Sequence, residues 1–279
     1  MNLTDMNLTD LAVLLQRAFT LTLNKKKLLF TAVVIAVCGL FTIFFMSLAF
    51  SASHWMAQSL TFLPVFISGM ILTGFGVVLV RTYHDEVKQQ EIELMPLFLR
   101  SWDVCFSAAS AFLLLLLSYL VLWIALGIFI VFKELPIIGE IFACVFVFIP
   151  FLLNMAIVAL GLFSVYAVYV LSPAIALKSV VPQQFLQLAK EEFTSHIISR
   201  LMLFLTALLP FFVSLGLLIA AASMTLEQCG TSSHLQVVMQ WFFLILPSAL
   251  LLAPSVVFFF NMAAESHVLI HKFNSAGEQ

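Results

Sequence analysis

The sequence predicts an all-α integral membrane protein, with six transmembrane helices and three amphipathic helices at the cytoplasmic interface. Three observations predict it. Of the 279 residues, 63% are hydrophobic and only 9% charged, against about 45–50% and about 25% in an ordinary soluble domain. The mean hydropathy of +1.15 is spread over several long runs without a charge, each near the roughly 20 residues that cross a hydrocarbon core. The lysines and arginines fall almost wholly between alternate runs, as the positive-inside rule requires of a polytopic chain.

The chain opens on a direct duplication, MNLTD-MNLTD, at residues 1–10. Asn2 and Asn7 match N-x-[ST] acceptors, but the topology below puts them in the cytoplasm, so the duplication reads as a frayed terminus. Residues 1–27 then form a cytoplasmic tail and a first interfacial helix. Leu8, Leu11, Leu15, Ala18 and Leu21 recur at spacings of three and four, with Gln16 and Arg17 off the stripe. The first apolar run follows Lys25-Lys26-Lys27 and is longer than a signal-peptide core, so it reads as a retained span.

Spans are expected at about 28–50, 59–80, 105–132, 138–172, 201–222 and 237–264, in one membrane domain covering 1–279, with 265–279 as a cytoplasmic tail. The fourth is long: a straight helix over residues 137–171 would reach about 52 Å, against a core of about 30 Å. Charge decides whether it is one span or two. With six spans and the N-terminus inside, Arg17, Lys25, Lys26, Lys27, Arg81, Lys88, Arg100, Lys178, Lys190, Arg200 and Lys272 are cytoplasmic and only Lys133 lies outside. Splitting the fourth run would leave seven inside and five outside. Six spans therefore stand, with the fourth bent near Pro150 and running on towards Pro173.

Two further interfacial helices precede the third and fifth spans. Ile92, Met95, Leu99 and Trp102 share one face of the first, and Phe185, Leu188, Ala189, Phe193 and Ile197 one face of the second, which Pro182 opens. The unit of interfacial helix, span, short outer loop and span thus begins near residues 8, 91 and 183, a layout compatible with internal repetition.

Chemistry is sparse. A net charge of −2 offers no basic field for nucleic acid. Cys38, Cys105, Cys144 and Cys229 are scattered without zinc spacing. No H-E-x-x-H, G-x-S-x-G or phosphate-binding loop occurs, so no catalytic residue, metal ligand or cofactor is expected. His84-Asp85-Glu86 and Glu265-x-His267 read as charges kept at span ends, out of lipid. Two polar groups inside the apolar runs remain as candidate substrate or partner contacts: Glu140, near the outer end of the fourth span, and Asn154, just past Pro150. Prolines 64, 150, 210, 247 and 254 lie within spans and are read as static kinks. Gly69 with Thr73, Ser107 with Ala111, and Gly216 with Ala220 are small pairs spaced for close helix approach.

Two stretches, Leu97-Phe-Leu-Arg100-Ser101-Trp102-Asp103 and Ser172-Pro173-Ala-Ile-Ala-Leu177-Lys178 with its continuation Phe185-Leu-Gln-Leu-Ala-Lys190, carry a resemblance. They resemble bacterial six-helix membrane families, including the membrane domain attached to some glycerophosphodiester phosphodiesterases. In these a proline closes one span and an amphipathic helix precedes the next. The resemblance covers about 40 residues and implies an architecture without an activity. The reading that follows is a non-enzymatic accessory or scaffold component of a bacterial inner membrane, contacting lipid or a membrane partner, with both termini cytoplasmic. The alternative is a carrier for a lipid or weakly polar solute.

Overall fold

In the computed structural model, the residues described are 8–50, 52, 54–90, 101–133, 148–178, 197–229 and 234–277. They form α1 (Leu8–Thr20), a 3₁₀ turn (Leu21–Leu23), α2 (Lys25–Ala49), α3 (His54–Val87), α4 (Trp102–Lys133), α5 (Phe148–Lys178), α6 (Ile197–Cys229) and α7 (His234–Gly277). No strand occurs among the described residues. Each of α2 to α7 is long and apolar enough to cross a membrane, so the chain is a multi-pass α-helical membrane protein. In hydrocarbon a helix is the form that satisfies every backbone group within one segment.

Local chemistry sets the helix ends. Asn24 has extended backbone, and its side chain accepts from the Lys26 amide, so it caps α2 as α1 turns into it. At the far end of α3, Gln89 takes a left-handed φ of 56°. Its amide donates to Glu86 O at 3.0 Å, and that of Gln90 to Asp85 O at 3.1 Å. This paired closure satisfies the last carbonyls of the helix.

Prolines 64, 173, 210, 247 and 254 lie inside helices that stay continuous across them. Pro150 is the third residue of α5 as described; a missing N–H in the first turn forfeits no helical bond. Residues 137–147, and with them the expected bend ahead of Pro150, lie outside the described residues. At its other end α7 continues to Gly277, beyond the expected span end at 264, and its side chains are buried without a break from Val257 to His267.

Burial is graded along the bundle. At the end holding most of the lysines and arginines, called here the basic end, α3 is buried over 73–80, α5 over 169–176 and α7 over 257–267. Towards the other end no side chain is buried over 148–163 of α5, 209–225 of α6 or 236–248 of α7, among those described. α5, α6 and α7 thus pack against their neighbours chiefly at the basic end, while α3 and α4 keep buried side chains towards the other end as well, Phe66, Leu126 and Phe129 among them. An aromatic trio fixes the convergence: Tyr169 of α5 meets Phe204 of α6 and Phe259 of α7 edge-on, at centroid distances of 5.4 and 5.3 Å.

α1 lies across this converged end. Ala18 is buried, and Leu15 and Leu21 pack against the core, which accounts for three of the five positions of the expected stripe; the side chains of Leu8 and Leu11 lie outside those described. The other two expected interfacial helices lie outside the described residues, except that Trp102 opens α4 and Ile197 opens α6, both exposed. Of the small-residue pairs, Gly69 receives the Phe112 ring, 2.8 Å from where a Cβ would sit, whereas Gly216 faces open space and Ala220 is exposed.

Two predictions follow from this packing. A Cβ on Gly76 would collide with the Phe260 ring, so Gly76→Ala should destabilise the bundle by about 1–3 kcal/mol, while Gly216→Ala should be neutral within about 0.5 kcal/mol; denaturant titration in detergent measures both. Gln89→Gly should stabilise by up to about 1 kcal/mol by relieving the left-handed backbone, seen as a raised melting temperature.

Candidate functional site

Polar groups of α1, α2, α3 and α7 meet at the basic end. Lys27, third of the lysine run, sits in the first turn of α2 with its side chain fully buried, and its ammonium pairs with Glu86 of α3, whose side chain is 6% exposed. Asn24 donates from Nδ2 to the other oxygen, Glu86 Oε1, at 2.8 Å. The Lys27 ammonium also donates to Leu21 O at 3.4 Å and lies 5.6 Å from the centroid of the Tyr83 ring. The residue that caps α2 thus also orients the carboxylate that neutralises α2's buried charge.

A second carboxylate lies beside the first. Tyr83 donates its phenol proton to Glu265 Oε1 of α7, and Arg17 Nε of α1 approaches the same oxygen at 3.4 Å. Four residues earlier on α7, the fully buried Asn261 donates from Nδ2 to Ala18 O and to Thr22 Oγ1, both at 3.1 Å. These bonds take up an α1 carbonyl near the end of that helix, where carbonyls lack helical partners. Two cations face two carboxylates, and the set is formally neutral. Neutrality matters because an ion taken out of water without a partner costs several kcal/mol.

Arg81 extends the network along α3. Its Nε donates to Ala176 O in the last turn of α5 at 3.1 Å, and its Nη1 to Ser101 Oγ, just ahead of α4, at 2.8 Å. Within six residues of α3, Arg81, Tyr83 and Glu86 therefore reach α5 and the start of α4, α7, and α2 in turn.

Beyond the converged end lies an apolar cavity of about 360 Å³, bordered by α3, α4, α5, α6 and α7. One face of α5, with Ile157, Gly161, Ser164, Val165 and Val168, forms a wall; Phe66 and Gly69 of α3, Phe211 of α6 and Phe259 of α7 form others. The one polar side chain of the lining, Ser164, donates back to Leu160 O at 2.7 Å. A Cβ on Gly161 would meet nothing within 4 Å, so that part of the wall is open. Size and lining suit an apolar ligand. A groove between α4 and α5, about 630 Å³ and lined by Leu117, Val121, Ala156 and Phe163 among others, is a shallower depression of the outer surface.

The sequence singles out Glu140 and Asn154. Glu140 lies outside the described residues, and Asn154 is exposed on α5. Of the network residues Arg17, Asn24, Lys27, Tyr83, Glu86, Asn261 and Glu265, the sequence marks none as a candidate contact, and Glu86 and Glu265 read there as charges kept at span ends. The available signal was the occurrence of opposite charges at the same end of three spans, Lys27, Glu86 and Glu265, which reads equally well as charge kept out of lipid. Glu86, in the triplet His84-Asp85-Glu86, is engaged by Lys27 and Asn24. No cluster of three metal-ligating side chains occurs among the described residues.

Lys27→Met should cost about 3–5 kcal/mol, because it strands Glu86 inside the protein, and Glu86→Leu should cost a similar amount by stranding Lys27. The double variant Lys27→Met/Glu86→Leu should recover most of the loss, as measured by a double-mutant cycle of unfolding free energies in detergent. No protein-family model, curated protein or solved structure matches the chain, so the function is read from this geometry.

Proposed function

We propose that the chain is a non-enzymatic carrier for a lipid or weakly polar solute, which enters sideways from the membrane. The observation that carries this reading is the apolar cavity around Gly161, set among helices that diverge above a sealed end. In water such a lining would collapse or recruit a partner. Between spans, the natural occupant of a 360 Å³ apolar space is an acyl chain or a similarly apolar body. The charge network at the basic end then acts as the closed gate of an alternating-access arrangement. Its charged groups pair with one another in the closed state and would have to be rehydrated as the gate opens.

By the positive-inside rule the basic end faces the cytoplasm, which puts both termini there and directs the cavity towards the outer leaflet of a bacterial cytoplasmic membrane. This favours the carrier over the accessory or scaffold component that sequence composition alone points to. A scaffold has no need of an internal apolar space at the junction of five helices.

The test is native mass spectrometry of the protein released from mild detergent. The reading predicts a stoichiometric lipid or small apolar molecule on the wild type. It predicts loss of that molecule in Gly161→Phe, a substitution into open space that should leave the melting temperature unchanged. A wild type that carries a stoichiometric protein partner and no such molecule would overturn the carrier and support the scaffold.

A further inference from the structure

Only one member of the run Lys25-Lys26-Lys27 is used inside the protein. Lys27 is turned inward onto Glu86, while Lys25 and Lys26 are exposed. Below them α2 presents an apolar face to its surroundings: Leu29, Val33 and Val37 follow Lys25 at four-residue intervals and are 64%, 53% and 54% exposed. Phe44, seven residues beyond Val37, continues that face and is also exposed. Beside this stripe the chain enters from α1, where Phe19 and Leu23 are both 58% exposed. The residue before each of them, Ala18 and Thr22, is buried. The corner thus combines two outward ammonium groups at the level where α2 emerges, an apolar track running from them into the hydrocarbon, and an apolar shoulder on the adjoining turn.

The geometry points to this corner as a binding site for an anionic phospholipid of the surrounding bilayer, independent of the cavity around Gly161. The headgroup phosphate is held by Lys25 and Lys26, and an acyl chain lies along Leu29, Val33 and Val37 with Phe19 and Leu23 at its flank. Charge selects the lipid. The carboxylates nearest in the network, Glu86 and Glu265, are already bound to Lys27 and to Tyr83 with Arg17, so the outward lysines keep their full attraction for an anion. The apolar track selects a bilayer lipid over a soluble phosphate, which would gain nothing from Leu29 or Val33.

The experiment places the whole chain in nanodiscs of equal parts phosphatidylglycerol and phosphatidylcholine with identical acyl chains, releases it, and counts retained lipids by native mass spectrometry. The wild type should retain phosphatidylglycerol preferentially. Lys25→Gln/Lys26→Gln should lose the preference by about fivefold per lysine, at an unchanged melting temperature. Lys25→Arg/Lys26→Arg should keep the preference, and raising the salt should weaken it in the wild type. Equal retention of the two lipids by the wild type would overturn the proposal, as would a preference that survives the glutamine substitutions. Gly161→Phe should leave the preference intact, which separates this site from the cavity.

Discussion

The ammonium of Lys27, buried against the Glu86 carboxylate, is the constraint around which the rest of the molecule is arranged. A lysine fully withdrawn from solvent at the start of a span must find a carboxylate in a neighbouring helix, and that carboxylate must be held in place. Asn24 holds it while capping α2, and Leu21 O, on the turn that leads out of α1, accepts another ammonium proton. The position of α1 across the bundle is thereby tied to the charge that opens α2. Glu265 repeats the arrangement one layer over, with Tyr83 and Arg17 as its donors. Without these pairs, three helix ends bearing charge would repel or stay hydrated, and the convergence of α3, α5 and α7 would have no seal.

The gradient of packing follows. Where polar groups must be neutralised the helices are drawn together, and Gly76 marks how closely: the Phe260 ring leaves no space there for a side chain. Towards the other end the described segments 148–163 of α5, 209–225 of α6 and 236–248 of α7 bury no side chain. Lipid tails satisfy leucine and phenylalanine as well as protein does, so nothing forces closure, and α5, α6 and α7 separate around an apolar space. The same physics gives a sealed end and an open flank. The proposed carrier role draws on that asymmetry, and for such a role the apolar lining would favour a largely apolar cargo.

The six spans were legible in the sequence because hydrocarbon tolerates no other reading of charge-free runs near 20 residues long. The first interfacial helix was legible because Leu15, Ala18 and Leu21 keep one face. The direction in which a charge points was not legible. Lys27 looks like its neighbours Lys25 and Lys26, and only the fold separates the one turned inward from the two turned outward. Glu86 and Glu265 were read as charges parked outside lipid, since a residue at a span end has the same sequence signature whether it faces water or a partner helix. Asn154 drew notice as a rare amide in an apolar run and is exposed on α5. The cavity was invisible in advance, because residues separated by up to about two hundred positions line it and no local pattern encodes their spacing.

The most direct measurement is magic-angle-spinning NMR of the protein in lipid bilayers, with lysine labelled with ¹⁵N at Nζ and glutamate with ¹³C at Cδ. Dipolar recoupling then reports which ammonium lies beside which carboxylate. The account predicts a strongly coupled lysine–glutamate pair that disappears when Lys27 is replaced by glutamine and persists when Lys25 or Lys26 is. Absence of such a pair in the wild type, or its survival in Lys27→Gln, would contradict the claim that a buried Lys27–Glu86 pair holds the closed end together.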